Sequence, residues 1–143
     1  MTNNYYKYST SELIELLTIL QIKENKFKDE SKKYKKIIEL VSKNIKNKIK
    51  KNKINAKLIT QISYISISNL EIWNLKDKML EDRKNYSALL YRAMELNCVR
   101  NIISNNINKK FHKQDHTKNK ISFFVKNEKK NFKSLKNFYM ELF

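Results

Sequence analysis

The sequence contains neither glycine nor proline among its 143 residues. Without glycine there is no phosphate-binding glycine-rich loop, no dinucleotide-binding fingerprint, no EF-hand turn and no Gly-x-Ser-x-Gly nucleophile elbow, because each motif needs a backbone conformation that a Cβ atom disfavours. Small β-sandwiches and barrels also depend on glycine and proline in their turns. These two absences therefore favour helices joined by loops rich in asparagine and lysine.

Cysteine is almost absent as well, since Cys98 is the only one. A single thiol excludes an internal disulfide framework and a cysteine-rich zinc site, and it fits a reducing compartment. No apolar run approaches the roughly 20 residues that span a bilayer, and residues 1–12 lack the apolar stretch of a secretory signal. We therefore expect a soluble intracellular protein with no membrane association.

Positive charge is in excess: 31 Lys and Arg against 14 Asp and Glu give a net charge of +17. Nucleic-acid binding is one explanation. AT-rich codon usage is another, because lysine, asparagine and isoleucine have codons made mostly of A and T. Two basic blocks, residues 23–57 and 109–136, flank a nearly neutral centre at 71–100. Arginine is scarce, which disfavours bidentate base recognition, whereas weak, salt-sensitive DNA contact through the lysine blocks stays open.

Helical patterning dominates the first fifty residues. A capping box at Ser9–Glu12 predicts the start of a first helix, whose leucine stripe ends near Lys23. Apolar residues at helical spacing predict a second helix that begins at Asp29 or Ser31. Its end, within residues 46–57, is predicted to be frayed or a loop.

The middle of the chain predicts the longest helix. Residues 62–68 alternate in polarity as a strand does but have no second strand to pair with, so they are a helix or an extended connector. A second capping box, Ser68–Glu71, predicts the start of a helix over residues 69–104, which would be about 50 Å long. Asn105–Asn108 is predicted to end it through a left-handed cap.

A final apolar seam follows a polar, basic loop at residues 109–120 and predicts a last helix over about 118–142. The seam consists of Ile121, Phe124, Val125, Phe132, Leu135, Phe138, Tyr139 and Leu142. Together these patterns predict an all-α fold: an elongated helical bundle of about four main helices, forming one domain over residues 1–143 with no β domain.

The sequence contains only weak signals for a catalytic or metal-binding site. His112 and His116 are four residues apart but have no Glu or Cys ligand nearby, so a solvated loop is the better interpretation. Cys98 has no histidine at helical spacing and is predicted to be a small buried hydrophobe. The acidic residues within 71–95 have basic neighbours at helical spacing, which is typical of a salt-bridged helix surface. We therefore expect no enzyme, no cofactor and no metal.

Two segments carry a family resemblance. Asp82–Met94 resembles a signature of the GINS complex subunits, most closely of the PSF-one type, in which a basic pair leads into an Ala-x-Leu-Tyr run on a long central helix. Asn131–Met140 resembles the closing helix of that family, and residues 12–20 and 34–45 match the SLD-five type subunit equally well. The matching positions in the first segment are Arg83, Lys84, Ala88, Leu90, Tyr91 and Met94.

The resemblance implies a non-catalytic, nuclear scaffold subunit in DNA replication. GINS is a four-subunit helical assembly that binds the MCM ring helicase, supports unwinding and helps tether the leading-strand polymerase, so the implied partners are other GINS-like subunits and the MCM helicase assembly. Subunits of the family typically have a helical A domain and a β-rich B domain. This chain has the length of the A domain alone and no glycine for a β domain. The implied interface residues are Arg83, Tyr86, Leu90, Tyr91, Phe132, Leu135, Phe138 and Tyr139.

Two other interpretations stay open. A stand-alone basic helical protein would bind nucleic acid non-specifically, with an affinity that falls steeply as salt rises. A helical adaptor of another multi-subunit complex would use its apolar helix faces to bind protein partners.

Overall fold

The computed structural model describes residues 8–49 and 54–111, and every regular element within these two ranges is helical. The elements are α1 (Thr10–Lys26), a short 3-10 helix (Lys28–Glu30), α2 (Ser31–Lys48), α3 (Ala56–Glu81) and α4 (Tyr86–Phe111). The all-α class and the four-helix bundle are thereby confirmed. Within the same ranges, none of the helices is long and apolar enough to cross a membrane.

The capping box predicted at the start of α1 is present. The Ser9 hydroxyl oxygen accepts a hydrogen bond from the Glu12 N–H at 3.3 Å, and the Glu12 carboxylate accepts one from the Ser9 N–H at 2.8 Å. Two of the N–H groups that a helix start leaves without an intrahelical partner are thus satisfied. The helix extends to Lys26 rather than ending near Lys23.

The helices alternate in direction, and the other three pack on α1. At one end the Ser11 N–H donates to the Asn108 side-chain oxygen at 3.1 Å. Toward the other end the Lys26 ammonium donates to the Asp77 carboxylate at 2.6 Å. Helix α1 therefore runs parallel to α3 and antiparallel to α4. We call the end with Ser11 and Asn108 the base, and the end with the α3–α4 turn the tip.

Three apolar clusters hold the helices together. The base cluster joins all four helices, a second cluster joins α1 to α2, and a third joins α3 to α4 toward the tip. Their buried members are, in that order, Ile14, Ile49, Leu58, Ile65, Val99, Ile103 and Ile107; Leu13, Leu20 and Val41; and Leu75, Met79, Ala93 and Leu96. The third cluster contains no α1 or α2 residue, so the tip is a helical hairpin that packs on itself.

The single long helix predicted over residues 69–104 is wrong. The chain turns back at residues 82–85, between α3 and α4, and residues 62–68 belong to α3. Ser68 and Asn69 are buried in the middle of that helix, so the second predicted capping box is also wrong. The N-cap of α3 is Asn55, whose side chain accepts a hydrogen bond from the Leu58 N–H at 3.0 Å.

The predicted end of the long helix at Asn105–Asn108 is wrong for a similar reason. Helix α4 continues to Phe111, so the predicted loop at 109–120 begins at least three residues later. Asn105 and Asn108 are buried, and Asn108 uses its side chain as an acceptor for α1 rather than as a cap. The rest of that loop and the helix predicted over 118–142 lie outside the described residues.

Replacing the capping hydroxyl should weaken the bundle measurably. We expect Ser9→Ala to lower the free energy of unfolding by about 1 kcal/mol, because the Glu12 N–H loses its acceptor. Chemical denaturation of the full chain measures the change. Ser87→Ala, at an exposed position in α4, is the matched control and should alter the stability by less than about 0.5 kcal/mol. Equal effects of the two substitutions would contradict the capping role.

Candidate interaction surface

Polar side chains are buried along the seam where α1 meets α3 and α4. The Asn69 amide donates to the Thr18 hydroxyl at 2.6 Å, and that hydroxyl donates to the Glu15 carbonyl at 2.9 Å. The Ser104 hydroxyl donates to the Glu15 carboxylate. Because these groups are removed from water, each needs its protein partner to avoid a desolvation penalty. We call this set the polar seam.

Arg100 joins the polar seam from α4. Its guanidinium donates to the side-chain oxygens of Asn69 at 2.6 Å and Asn97 at 2.5 Å. Its Nε lies 3.9 Å from a Glu15 carboxylate oxygen and has no hydrogen-bond partner, although it is buried. Glu15 and Arg100 therefore form a largely desolvated charge pair that three neutral side chains support. This arrangement links three helices.

Side chains that ligate metals do not cluster in the described ranges. Residues 8–49 and 54–111 contain no cluster of three His, Cys, Asp or Glu side chains that could hold a metal ion. Cys98, predicted to be a small buried hydrophobe, is half-buried. Burial, followed by the nearby Glu95 carboxylate, raises the pKa of the Cys98 thiol, which favours the less nucleophilic protonated form. His112 and His116 lie outside the described residues.

The turn at the tip is built by one carboxylate. Asp82 accepts hydrogen bonds from the Asn85 N–H at 3.2 Å and from the Asn85 side-chain amide at 2.8 Å. These two hydrogen bonds lower the pKa of the Asp82 carboxyl. The Asn85 carbonyl then accepts the Leu89 N–H at 3.0 Å and so starts α4. Asp82 thus ends one helix and positions the next.

An exposed apolar stripe begins immediately after this turn. Tyr86, Leu90 and Met94 recur every four residues on α4 and are 47%, 40% and 37% exposed. Residues with this spacing lie on one face of a helix. Leu80, at the end of α3, is 81% exposed. Large side chains grouped in this way mark an interaction surface more strongly than scattered exposed residues do. We call Tyr86, Leu90 and Met94 the tip stripe.

The implied interface residues fall into two groups. Tyr86 and Leu90 belong to the tip stripe, Tyr91 is half-buried on α4, and Arg83 is exposed in the turn. The structure therefore brings these four together at the tip, but Arg83 lies before α4 and not on the long helix that was predicted. Sequence reasoning missed the exposure of Leu80. The other four implied residues, Phe132, Leu135, Phe138 and Tyr139, lie outside the described residues.

A second surface feature is the lysine face of α2. Apolar side chains of α2, such as Val41, face α1, and the opposite side of the helix is exposed and basic. Lys33 pairs with Glu30 at 2.6 Å, which lowers the pKa of the Glu30 carboxyl and raises that of the Lys33 ammonium. The exposed lysines are Lys32, Lys33, Lys35, Lys36, Lys43 and Lys46.

No protein-family model matches the chain, and neither a curated protein nor a solved structure matches it.

Removing the carboxylate of the polar seam should cost much of the stability of the fold. We expect Glu15→Ala to lower the free energy of unfolding by about 3 kcal/mol, because Arg100 and Ser104 lose their partner inside the bundle. Denaturant titration of the full chain measures the loss. Glu24→Ala, on the same helix but near the surface, should change the stability by less than about 0.5 kcal/mol. A similar loss for both variants would contradict the role of the seam.

The tip turn should respond to pH through Asp82. Its pKa in the folded protein lies below the ordinary value of 3.8, so its stabilising contribution is present above that value and is lost as pH falls through the folded-state pKa. We expect Asp82→Ala to lower Tm at pH 7, with the difference from the wild type shrinking as the pH falls below the ordinary Asp pKa of 3.8 and through the lower folded-state pKa. Thermal melts across pH measure this. A difference independent of pH would contradict a role for the ionised carboxylate.

Proposed function

We propose that the chain is a non-catalytic helical scaffold subunit that binds a protein partner through the tip stripe. The observation that carries the proposal is the exposure of Tyr86, Leu90 and Met94 on one face of α4. Tyrosine and methionine are enriched in protein interfaces. The α3–α4 hairpin has its own buried apolar cluster at this end, so the helix that carries the tip stripe is packed against α3.

The resemblance to GINS subunits supplies the identity of the proposed partners. Leu90 and Met94 of the tip stripe are among the positions that match the family signature, and Tyr86 is one of the implied interface residues. We therefore propose that the chain assembles with other GINS-like subunits and supports the MCM helicase in the nucleus. One feature departs from the pattern, because the basic pair Arg83 and Lys84 lies in the turn and not on a helix.

The lysine face of α2 favours a second candidate function, non-specific binding to nucleic acid. Six exposed lysines on one helix provide point charges for phosphates. They lack the planar fork with which arginine recognises a base edge. Such binding would be independent of the tip stripe and would weaken steeply with salt.

A reconstitution experiment tests the proposed function. The full chain, co-expressed with the other GINS subunits of its own organism, should co-elute with them in gel filtration. We expect Leu90→Glu to weaken this binding at least about 30-fold, as the loss of a buried hot-spot contact does. The Tm of the isolated chain should change by less than about 2 °C, because Leu90 is already 40% exposed there.

The double substitution Lys36→Glu with Lys43→Glu is the matched control for that experiment. It should leave subunit binding intact, since both lysines lie on the exposed face of α2. Failure of the wild-type chain to co-elute would remove the GINS assignment. Unchanged binding by the Leu90 variant would remove the tip stripe as the interface. Salt-sensitive DNA binding that the lysine variant loses and the Leu90 variant keeps would support the second candidate.

A further inference from the structure

Three aromatic rings meet where the turn between α1 and α2 lies against α3. The Phe27 ring packs edge-on against the Trp73 ring, with centroids 6.1 Å apart, and its centroid lies 6.5 Å from that of Tyr34. Phe27 belongs to the turn, whereas Tyr34 lies on α2 and Trp73 on α3. The Phe27 side chain is 45% exposed, so it presents an aromatic ring to solvent. We call Phe27, Tyr34 and Trp73 the aromatic patch.

The exposed ring of Phe27 is held in place by its surroundings. The Phe27 N–H donates to the Lys23 carbonyl at 2.8 Å, and the Phe27 carbonyl accepts the Glu30 N–H at 3.1 Å. The two neighbouring rings contact its side chain. A contact residue that is already ordered loses little conformational freedom when a ligand binds, which favours affinity. Phe27 is therefore pre-organised to contact a flat ligand.

Lysine side chains surround the aromatic patch. The Lys26 ammonium lies 5.7 Å from the centre of the Trp73 ring, and the Lys33 ammonium lies 5.6 Å from the centre of the Tyr34 ring. Residues 23–36 contain seven lysines and three carboxylates. The carboxylates near the patch form three ion pairs with lysines: Lys26 with Asp77, Lys33 with Glu30, and Lys35 with Glu24.

Other lysines beside the patch keep their charge uncompensated. Lys28 follows Phe27 directly, Lys32 lies at the start of α2, and Lys76 lies one turn after Trp73 on α3. All three are exposed, and within residues 8–49 and 54–111 no ion pair involves them. The aromatic patch thus has positive charge available for anions on three sides, from the turn, α2 and α3.

We propose that the aromatic patch binds single-stranded nucleic acid by stacking an unpaired base on Phe27, with neighbouring lysines at the flanking phosphates. The proposal rests on the second candidate function and specifies its ligand, and it is independent of the tip stripe. Aromatic rings beside a positively charged surface bind single strands without sequence preference, because every base has a π-face. Bases inside a duplex are stacked on each other and cannot reach Phe27, so single strands should be preferred.

The composition of this surface distinguishes it from a protein-binding or lipid-binding surface. Lysine is depleted in protein interfaces, yet half of residues 23–36 are lysines. Binding to a lipid surface strengthens with the apolar area that is inserted. Of the three rings only Phe27 is exposed, since Tyr34 and Trp73 are half-buried. One exposed ring among lysines therefore favours a nucleic-acid strand over the other two partners.

Fluorescence anisotropy with the full chain tests the preference for single strands. The probes are labelled oligo(dT) and oligo(U) strands of about 20 nucleotides, which exceeds the site size of common strand-binding folds, and a DNA duplex of the same length. Stacking and phosphate contacts are shared by DNA and RNA, so both polymers are offered. At about 50 mM salt, where phosphate contacts are strong, we expect at least one strand to bind about fivefold more tightly than the duplex, as one stacked base allows.

Substitutions at the patch separate stacking from charge. Phe27→Leu keeps an apolar side chain without a π-face and should weaken strand binding at least about fivefold, with an unchanged salt dependence. Phe27→Tyr should bind as the wild type does. Lys28→Gln with Lys32→Gln should instead make the slope of log affinity against log salt shallower by about 1.4, as the loss of two phosphate contacts does.

Ile59→Ala is the matched control for the loss of an exposed apolar side chain. Ile59 is 56% exposed on α3 and lies about 21 Å along that helix from Trp73. Its substitution should leave strand binding unchanged. A loss of strand binding equal to that of Phe27→Leu would overturn the proposal.

Trp73 provides a second measurement, because it is the only tryptophan of the chain. Unlabelled oligo(dT) or oligo(U) should quench its fluorescence in the wild type, and Phe27→Leu should remove most of the quenching. This readout reports from the aromatic patch and needs no variant to show that a strand binds there. Strand binding without any change in Trp73 fluorescence would overturn the proposal.

The outcomes distinguish this site from the function on which it rests. Equal affinity for strand and duplex, or strand binding that Phe27→Leu does not weaken, would overturn the stacking site and leave phosphate binding by the lysines. Absence of all nucleic-acid binding at about 50 mM salt would overturn both. Binding to vesicles of anionic lipid, with no binding to either strand, would overturn the proposal in favour of a lipid surface.

Discussion

The polar seam fixes the register of α1 against the α3–α4 hairpin, and the remaining geometry depends on that register. Apolar contact alone is non-directional, so a helix with leucines along one face can slide by a turn at little cost. Hydrogen bonds from Asn69 to Thr18 and from Lys26 to Asp77 both join an α1 residue to the α3 residue 51 positions later in the sequence. With Glu15, Ser104 and Arg100 enclosed between these helices, a one-turn slip would leave buried charges and amides without partners.

This register determines which apolar surfaces stay uncovered. Helix α1 ends beside Asp77, so the last turn of α3 and the first turn of α4, where the tip stripe begins, extend beyond it. On the other side, α2 packs against α1 and meets α3 mainly near the base, where Ile49 joins the base cluster. An apolar groove lined by Leu17, Ile45 and Ile62 remains between α2 and α3. The two surfaces lie on different parts of the bundle and can serve different contacts at the same time.

The sequence predicted the fold class and the first two helices well because their signals are local. The capping box at Ser9 needs only residues within one turn. The same pattern at Ser68 does not start a helix. The Asn69 side chain forms hydrogen bonds with Thr18 and Arg100, which are remote in sequence, and these bonds stabilise the fold when residue 69 lies inside α3. The helix end predicted at Asn105 and Asn108 was wrong for the same reason. Their capping tendency is overridden by burial against α1.

The candidate surface was only partly predictable. The resemblance pointed to Tyr86 and Leu90, but not to the turn beside them, because no glycine or proline marks it. The usable signal was Asp82 followed by Asn85, a spacing at which a carboxylate can accept the N–H three residues on. The exposure of Leu80 depends on where α1 ends, which no local pattern specifies.

Within the described ranges no residue adopts the left-handed backbone that favours glycine. The tip turn therefore makes its reversal with Arg83 and Lys84 in conformations open to most amino acids. Side chains at these two positions can diversify without a change of backbone, as long as Asp82 and Asn85 remain. Contact specificity at this end of the bundle can thus evolve separately from the stability of the helices beneath it.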